Sequence, residues 1–192
     1  MSAPVLQIVI ASTRPGRVGP SVAAWIYDRA KAHGGFDVEL VDLAEINLPM
    51  FDEPKHPRFG EYVHQHTRDW SATVARADAF IFVMPEYNYG FNAVIKNAID
   101  YLNVEWQHKP VGFVSYGGVA AGTRAVQMLK QVITTLKMVP VLESVNIPFV
   151  QQFLDPDRNL VPNDVMEGAA KAMLDELERL TPALRSVRQP AG

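Results

Sequence analysis

The feature of this sequence that most constrains its fold is the alternation of five short apolar runs with longer segments of helical periodicity. The run Ala-Phe-Ile-Phe-Val-Met is apolar throughout, which is typical of a strand covered on both faces in a parallel sheet. Strands are predicted at residues 5–10, 38–43, 79–84, 111–116 and 138–142.

Helices are predicted between and after these strands. Apolar residues recur at helical spacing in segments 91–102, 126–136 and 166–180, and weaker patterns cover 20–32 and 67–77. Strands that alternate with helices form right-handed βαβ units. The sequence therefore predicts an α/β fold, a flavodoxin-like, doubly wound parallel sheet of five strands in the order 2-1-3-4-5. Helices cover both faces, and a ligand is expected beyond the carboxyl ends of the strands.

Length and composition indicate one domain and disfavour two kinds of partner. The chain has 192 residues, 48% of them hydrophobic, so we expect a single domain over residues 1–192 with a frayed tail at 181–192. Three of the 14 prolines lie in residues 48–59, which predicts a long surface loop. The net charge of −3 gives no basic field for nucleic acid, and no apolar run approaches the length of a membrane span.

Cysteine is absent, which excludes disulfides, thiolate nucleophiles and cysteine-ligated metals. The first residues lack the charged and then apolar layout of a signal peptide. We therefore expect a cytoplasmic protein.

The loop after the first strand combines the components of a phosphate site. It contains two hydroxyls and two guanidinium groups, and it leads into a helix whose N-terminal amides favour an anion. It lacks the glycine patterns of nucleoside-triphosphate and dinucleotide loops, which favours a terminal monophosphate such as that of FMN. Asp42 resembles only weakly a residue that binds an NAD ribose, and a solvated turn is the alternative interpretation. The candidate residues are Ser12, Thr13, Arg14, Arg17, Val18 and Gly19.

The loop after the third strand has the residues expected beside a heteroaromatic ring. Its two tyrosines offer flat faces, and its carboxylate and amide side chains offer hydrogen bonds. An ordinary turn with two half-buried tyrosines is the alternative. The candidates are Pro85, Glu86, Tyr87, Asn88 and Tyr89.

The loop after the fourth strand is the third one at this predicted edge. Paired glycines allow the backbone to approach a ligand, and free amides there suit a pyrimidine edge. The candidates are Ser115, Tyr116, Gly117 and Gly118.

Together, segments 11–19, 77–88, 96–101 and 115–118 resemble the NADPH-dependent FMN reductase family, which includes quinone, chromate and azo reductases. The resemblance covers residues 5 to 140 approximately. It implies that Ser12, Arg14, Arg17 and Gly19 hold the FMN phosphate. It also implies that the other two loops border the ribityl chain and the isoalloxazine.

The activity implied is an FMN-dependent NAD(P)H oxidoreductase. NADPH or NADH passes a hydride to N5 of FMN and leaves, and an acceptor then takes its place in a ping-pong sequence. Quinone-like compounds, azo compounds, metal ions and free flavin are the expected acceptors. The protein needs no catalytic side chain because the chemistry occurs on FMN. The alternatives are a flavodoxin-type electron-transfer or redox-sensing protein without nicotinamide chemistry, and a carrier that releases reduced flavin.

A homodimer or a dimer of dimers is expected. Segment 91–101 is apolar on more than a narrow stripe, and the resemblance implies pairing near this helix. Trp106 follows the helix and is a candidate for the subunit contact, whereas Trp25 and Trp70 are expected in the core.

Two other chemistries are not favoured. His56, His64 and His66 lie in a proline-rich stretch without a matching acidic pair, so no metal site is expected. No serine occupies a G-x-S-x-G turn, so a hydrolase of that type lacks its nucleophile.

Overall fold

The computed structural model describes residues 3–188 and shows a five-stranded parallel sheet in the order β2-β1-β3-β4-β5. The strands are β1 (Val5–Ile10), β2 (Asp37–Asp42), β3 (Ala79–Pro85), β4 (Pro110–Gly117) and β5 (Val139–Pro148). The helices are α1 (Gly19–His33), α2 (Leu43–Ile46), α3 (Gln65–Arg76), α4 (Ala93–Asp100), α5 (Thr123–Thr135) and α6 (Asp164–Arg188). The predicted fold class and strand order are confirmed.

The helices form two layers, one on each face of the sheet. Residues of α1 and α6 pack in one apolar cluster, and residues of α3, α4 and α5 pack in another. All seven residues of β3 are buried, as the apolar run predicts for a central strand covered on both faces. Because the strands are parallel, the loops after β1, β3 and β4 lie at one edge of the sheet.

The fifth strand is longer than its apolar run. The prediction ends it at residue 142, whereas β5 continues to Pro148. Its second half alternates polar and buried apolar residues, with Val145 and Ile147 in the core and Asn146 exposed. This alternation arises because β5 lies at an edge of the sheet and has one face partly open to solvent.

The predicted frayed tail is wrong for residues 181–188, because α6 continues through Pro182 to Arg188. Arg188 Nη2 donates to Asp78 Oδ1 at 2.7 Å, and Arg185 Nε lies 3.3 Å from the same oxygen. These ion pairs attach the end of the helix to the residue before β3. Residues 189–192, the rest of the predicted tail, lie outside the described residues.

The tryptophans are all buried. Trp25 and Trp70 belong to the core as predicted. Trp106 is also fully buried, against Phe80 and Phe82, so its predicted role in a subunit contact is wrong. Over residues 3–188, no helix has the length and apolarity needed to cross a membrane.

Candidate cofactor site

The carboxyl edge of the sheet contains a crevice of about 230 Å³. Its walls come from the three predicted loops and from the segment after β5, and they comprise Arg14, Arg17, Val18, Pro85, Glu86, Tyr87, Tyr116, Gly117, Val150 and Gln151. Only the last two are not among the sequence candidates. A larger hollow of about 480 Å³ lies beside residues 99–103, away from these loops. The crevice is the better ligand site because ligands of such sheets bind beyond the carboxyl ends of the strands.

The loop between β1 and α1 folds as a tight turn. The Arg17 N–H donates to the Arg14 carbonyl at 3.1 Å. Pro15 has the fixed φ that suits the second position of the turn, and Gly16 has the positive φ of 71° required at the third. The sequence Arg-Pro-Gly-Arg therefore determines the shape of this loop locally.

The start of α1 has amides available for an anion. No side chain caps the helix at Val18, and its first turn contains no acidic residue. A Cβ atom at Gly19 would collide with Ser12 Oγ and would lie 3.0 Å from Ile10 Cγ2. Glycine therefore allows α1 to begin against the end of β1, where its uncapped amides and dipole favour a phosphate.

The two arginines of this loop differ in their partners. Arg14 is exposed, and over residues 3–188 no carboxylate forms an ion pair with it. Arg17 donates to Asp42 Oδ1 at 2.6 Å, to Asp42 Oδ2 and to the Ser12 carbonyl. The hydrogen bonds that Arg17 donates to the Asp42 carboxylate raise the pKa of Arg17. Arg14 is thus free for an external anion, whereas the charge of Arg17 is largely balanced within the protein.

The hydroxyls of the first loop face different surroundings. Ser12 is buried, and its Oγ accepts a hydrogen bond from the Tyr116 hydroxyl at 3.2 Å. Burial raises the pKa of Tyr116 to about 12, so this phenol keeps its proton at neutral pH. Thr13 is exposed and borders a separate hollow beside Asn47 and Asn97. Tyr116 therefore connects the loop after β1 to the end of β4.

The loop after β3 is a two-residue hairpin turn. Tyr87 and Gly90 exchange two backbone hydrogen bonds of 2.9 Å each. Asn88 and Tyr89 between them have φ values of 50° and 70°. Asparagine adopts this left-handed conformation readily, but tyrosine rarely does. The turn holds both tyrosine rings at the surface, with Tyr89 66% exposed.

Glu86 is occupied by a partner that the sequence analysis missed. Its side chain is only 7% exposed and pairs with the guanidinium of Arg124, while the Arg124 backbone N–H donates to Glu86 Oε2 at 3.2 Å. The same guanidinium lies 3.7 Å from the centre of the Tyr89 ring. Glu86 therefore fixes the loop to the start of α5 instead of presenting a free carboxylate to a ligand. In the sequence, Arg124 lies six residues after the third candidate loop and carries no other indication of this role.

The loop after β4 is supported from within. Ser115 is fully buried, with its Oγ 2.8 Å from the Ala121 carbonyl and 3.0 Å from Asn146 Oδ1. Gly117 lines the crevice, and Gly118 is exposed. Ser115 thus stabilises the loop through buried hydrogen bonds, and the backbone at Gly117 and Gly118 is the part that faces solvent.

The histidines are not organised as a metal site. His64 and His66 stack on one another, and His66 Nε2 lies 3.0 Å from Asp52 Oδ1. His56 accepts a hydrogen bond from its neighbour Arg58 in a short 3₁₀ helix, Pro57–Phe59. Within residues 3–188, no three His, Cys, Asp or Glu side chains are grouped to hold a metal ion.

Comparisons with known proteins show which proteins this chain is similar to. The family model described as NADPH-dependent FMN reductase matches residues 5–152. An NAD(P)H-dependent FMN reductase of Schizosaccharomyces pombe is 41% identical over 160 residues, which cover 80% of each chain. Another, from Nectria, is 35% identical over 150 residues, which cover 75% of each chain.

A solved structure shows the same fold at much lower identity. A flavoenzyme NAD(P)H:(acceptor) oxidoreductase from Paracoccus denitrificans aligns with a TM-score of 0.73 at 18% identity. The alignment covers 93% of this chain and 99% of that one.

Proposed function

The chain belongs to the NADPH-dependent FMN reductase family, and we propose that it holds FMN in the crevice and reduces a small planar acceptor with NADPH or NADH. The observation that carries the proposal is the crevice itself. It lies at the carboxyl edge of the sheet and is bordered both by Arg14, which forms no ion pair with another residue of 3–188, and by the exposed ring of Tyr87. A phosphate and a heteroaromatic ring are the two chemical parts of FMN that such a surface fits.

The phosphate is assigned to the loop after β1. Arg14 supplies a guanidinium fork, and the uncapped amides around Val18 and Gly19 supply N–H donors, which is the donor set that a dianionic phosphate requires. Ser12 and Thr13 are the hydroxyl donors of the same loop. Arg17 has a supporting role, because its contacts with Asp42 and the Ser12 carbonyl hold the loop in shape.

The flavin ring and ribityl chain are assigned to the other two loops. Pro85 and Tyr87 line one wall of the crevice, and Asn88 and Tyr89 follow them in the same turn. The backbone of Gly117 lines the other wall, and Gly118 follows it. Glu86, Ser115 and Tyr116 stabilise these walls through Arg124, Ala121 and Ser12 respectively.

Bound FMN supplies the redox chemistry, accepting a hydride from the nicotinamide and passing reducing equivalents to the acceptor. The protein's residues bind and orient the reactants. Tyr116 is buried with its pKa raised to about 12, which makes it a poor proton donor, and Glu86 is paired with Arg124. Neither is therefore proposed as an acid or base. A nicotinamide and an acceptor would have to lie in turn against the same exposed face of the bound flavin, which supports a ping-pong order.

Quinone-like compounds are the acceptor class that we favour, because a flat conjugated molecule can stack where the nicotinamide stacked. Azo compounds, metal ions and free flavin are the other acceptor classes to compare.

The test is an absorbance spectrum of the purified protein with FMN, followed by anaerobic titration with NADPH and with NADH. We expect the bound flavin to be bleached by one or both nicotinamides and restored by a quinone. Steady-state double-reciprocal plots should give parallel lines. A flavin that stays oxidised with both nicotinamides would overturn the reductase proposal and favour a flavodoxin-type electron carrier.

A further inference from the structure

A short hairpin beyond the region matched by the family model contacts the phosphate loop, our name for residues 11–18 between β1 and α1, where the phosphate of FMN is proposed to bind. Residues 154–160 form this hairpin, with Leu154 and Leu160 bridged across its base. At its tip, Arg158 Nη2 lies 3.0 Å from the Gly16 carbonyl and 3.3 Å from the Arg17 carbonyl. These are the carbonyls of the turn that leads into α1.

The hairpin is a well-formed element. Asp155 N–H donates to the Asn159 carbonyl at 3.0 Å, and Arg158 N–H donates to the Asp155 carbonyl at 2.9 Å. The Asp155 carboxylate also accepts from the backbone and the side chain of Asn159. Leu160 is buried in the α1/α6 core cluster, with Leu154 packed beside it. The tip is therefore held firmly relative to the sheet.

Arg158 occupies a position that favours glycine. A three-residue hairpin loop commonly ends in a left-handed residue, and Arg158 has a φ of 65° there. A non-glycine residue in this conformation carries backbone strain, which glycine would relieve. Here the side chain is exposed, forms no ion pair within residues 3–188, and donates to the phosphate loop.

The contact controls where the amides of the loop point. A trans peptide directs its C=O and the following N–H in opposite directions. When the Arg17 carbonyl turns towards Arg158, the Val18 N–H turns away from it, at the uncapped start of α1. Arg158 therefore orients a donor of the proposed phosphate site without itself being a predicted ligand.

From this geometry we infer that Arg158 is a positioning residue that fixes the phosphate loop from outside and so retains FMN as a bound group. The inference rests on the proposed function, because it assumes that the phosphate of FMN binds at this loop. A loop fixed in this way suits a protein that keeps its flavin bound and does not suit a carrier that releases reduced flavin.

The test compares Arg158→Gly and Arg158→Lys with the wild type by titrating the flavin-free proteins with FMN and with riboflavin, which lacks the phosphate. Flavin fluorescence quenching gives the dissociation constants. Arg158→Gly should weaken FMN binding about tenfold, the effect of one charge-assisted hydrogen bond, and should leave riboflavin binding unchanged. Arg158→Lys keeps one donor and the charge, and should recover part of the affinity.

The matched control is Lys137→Gly. Lys137 is another exposed cation with a positive φ, 58°, but it lies between α5 and β5 at the opposite edge of the sheet. This variant also replaces an exposed cation at a left-handed position by glycine, and it should leave FMN affinity unaltered. Thermal unfolding of the flavin-free proteins should show Arg158→Gly no less stable than the wild type, because glycine suits the turn.

Equal FMN affinity in wild type and Arg158→Gly would overturn the inference alone. Equal weakening of FMN and riboflavin, or a lower melting temperature of flavin-free Arg158→Gly, would also overturn it by showing a general structural role. A wild type that binds neither flavin would overturn the proposed function together with the inference.

Discussion

The guanidinium of Arg17 holds the carboxylate of Asp42 across the ends of β1 and β2, with Nη1 2.6 Å from Oδ1 and Nη2 bonded to Oδ2. The two residues are 25 positions apart, and both side chains are largely buried. Asp42 also caps α2 by accepting from the Ala44 N–H at 2.9 Å. The pair thus joins the loop between β1 and α1 to the end of β2.

Arg17→Ala is expected to destabilise the fold. The substitution leaves the carboxylate of Asp42 partly buried without its guanidinium partner, so the free energy of unfolding should fall by about 1–3 kcal/mol. Urea unfolding of the flavin-free protein measures this change. In the double variant with Asp42→Ala, the loss should be smaller than the sum of the two single losses. If the loss of unfolding free energy in the double variant equals the sum of the two single losses, the two side chains do not interact.

Two glycines between β4 and α5 give a second prediction. Gly122 has a φ of 82°, and a Cβ atom there would lie 2.9 Å from Ser115 Cβ and 3.0 Å from both backbone N and O of Tyr116. Gly122→Ala should therefore lower the free energy of unfolding by about 1–3 kcal/mol. A Cβ atom at Gly118 meets nothing within 4 Å, so Gly118→Ala is the matched control and should unfold like the wild type. Equal midpoints for the two variants in urea would contradict this account.

Buried Lys109 predicts a pH dependence of stability. Burial lowers the pKa of Lys109 to about 7, and its Nζ donates to the Val74 carbonyl at 2.8 Å. Between pH 7 and the ordinary lysine pKa of about 10.5, the unfolded chain binds a proton that the folded protein has released. Stability should therefore rise with pH in this window, by up to about 1.4 kcal/mol per pH unit from this group.

Lys109→Met isolates that contribution. The difference in unfolding free energy between Lys109→Met and the wild type, measured at several pH values, removes the contributions of the other titrating groups. The free energy of unfolding of the wild type should rise relative to that of the variant as the pH rises from 7 to about 10. A difference that stays constant over this range would mean that Lys109 remains charged in the folded protein.

How much of this architecture is predictable from sequence depends on the distance over which a residue acts. Strand runs, helical faces and the Arg-Pro-Gly-Arg turn are set by neighbouring residues, and they predicted the sheet order and three loops of the site. The missed contacts join distant residues: Arg124 lies 38 positions from Glu86, and Arg158 lies 141 positions from Arg17. The pattern of residues within a short stretch of sequence does not show which distant residues will be in contact.

The wrong predictions at particular residues also arise from contacts between distant parts of the chain. Pro182 correctly indicates a lost amide donor, but the contact of Arg188 with Asp78, 110 positions away, sustains the helix beyond it. Arg14 and Arg17 look equivalent in the sequence, and only the fold brings Asp42 to one of them. Trp106 follows the helix expected at a subunit contact, yet the chain turns its ring inward, where Nε1 donates to the Ile99 carbonyl at 3.1 Å.

Self-association is predicted near α4. Exposed apolar side chains of the loop before α3, Met50 and Phe51, lie beside this helix, where the Phe51 N–H donates to Asn97 Oδ1 at 2.9 Å. Light scattering at micromolar concentration should give at least twice the 21.3 kDa mass of the chain. Met50→Asp places a charge on this surface and should shift the protein towards monomer. A monomeric wild type would refute the prediction, and an unchanged mass for Met50→Asp would place the contact elsewhere.

Arg14→Ala should weaken FMN binding much more than it slows reduction of the flavin. Among residues 3–188, no carboxylate forms an ion pair with the Arg14 guanidinium. Its bonds to a dianionic phosphate should contribute about 1.5–3 kcal/mol, or roughly 10- to 150-fold in affinity. The phosphate is at the far end of FMN from N5. Rapid-mixing reduction by NADPH at saturating FMN should therefore change little.

The comparison with Arg17→Ala decides how the two arginines divide the work. Arg17 is already bonded to Asp42 and to the Ser12 carbonyl, so its removal should raise the FMN dissociation constant less than removal of Arg14 does. An unchanged dissociation constant for Arg14→Ala would remove that residue from the site. Normal affinity with slow flavin reduction would instead place Arg14 near the nicotinamide. If both variants bind FMN like the wild type, the loop after β1 is an ordinary turn and the phosphate binds elsewhere.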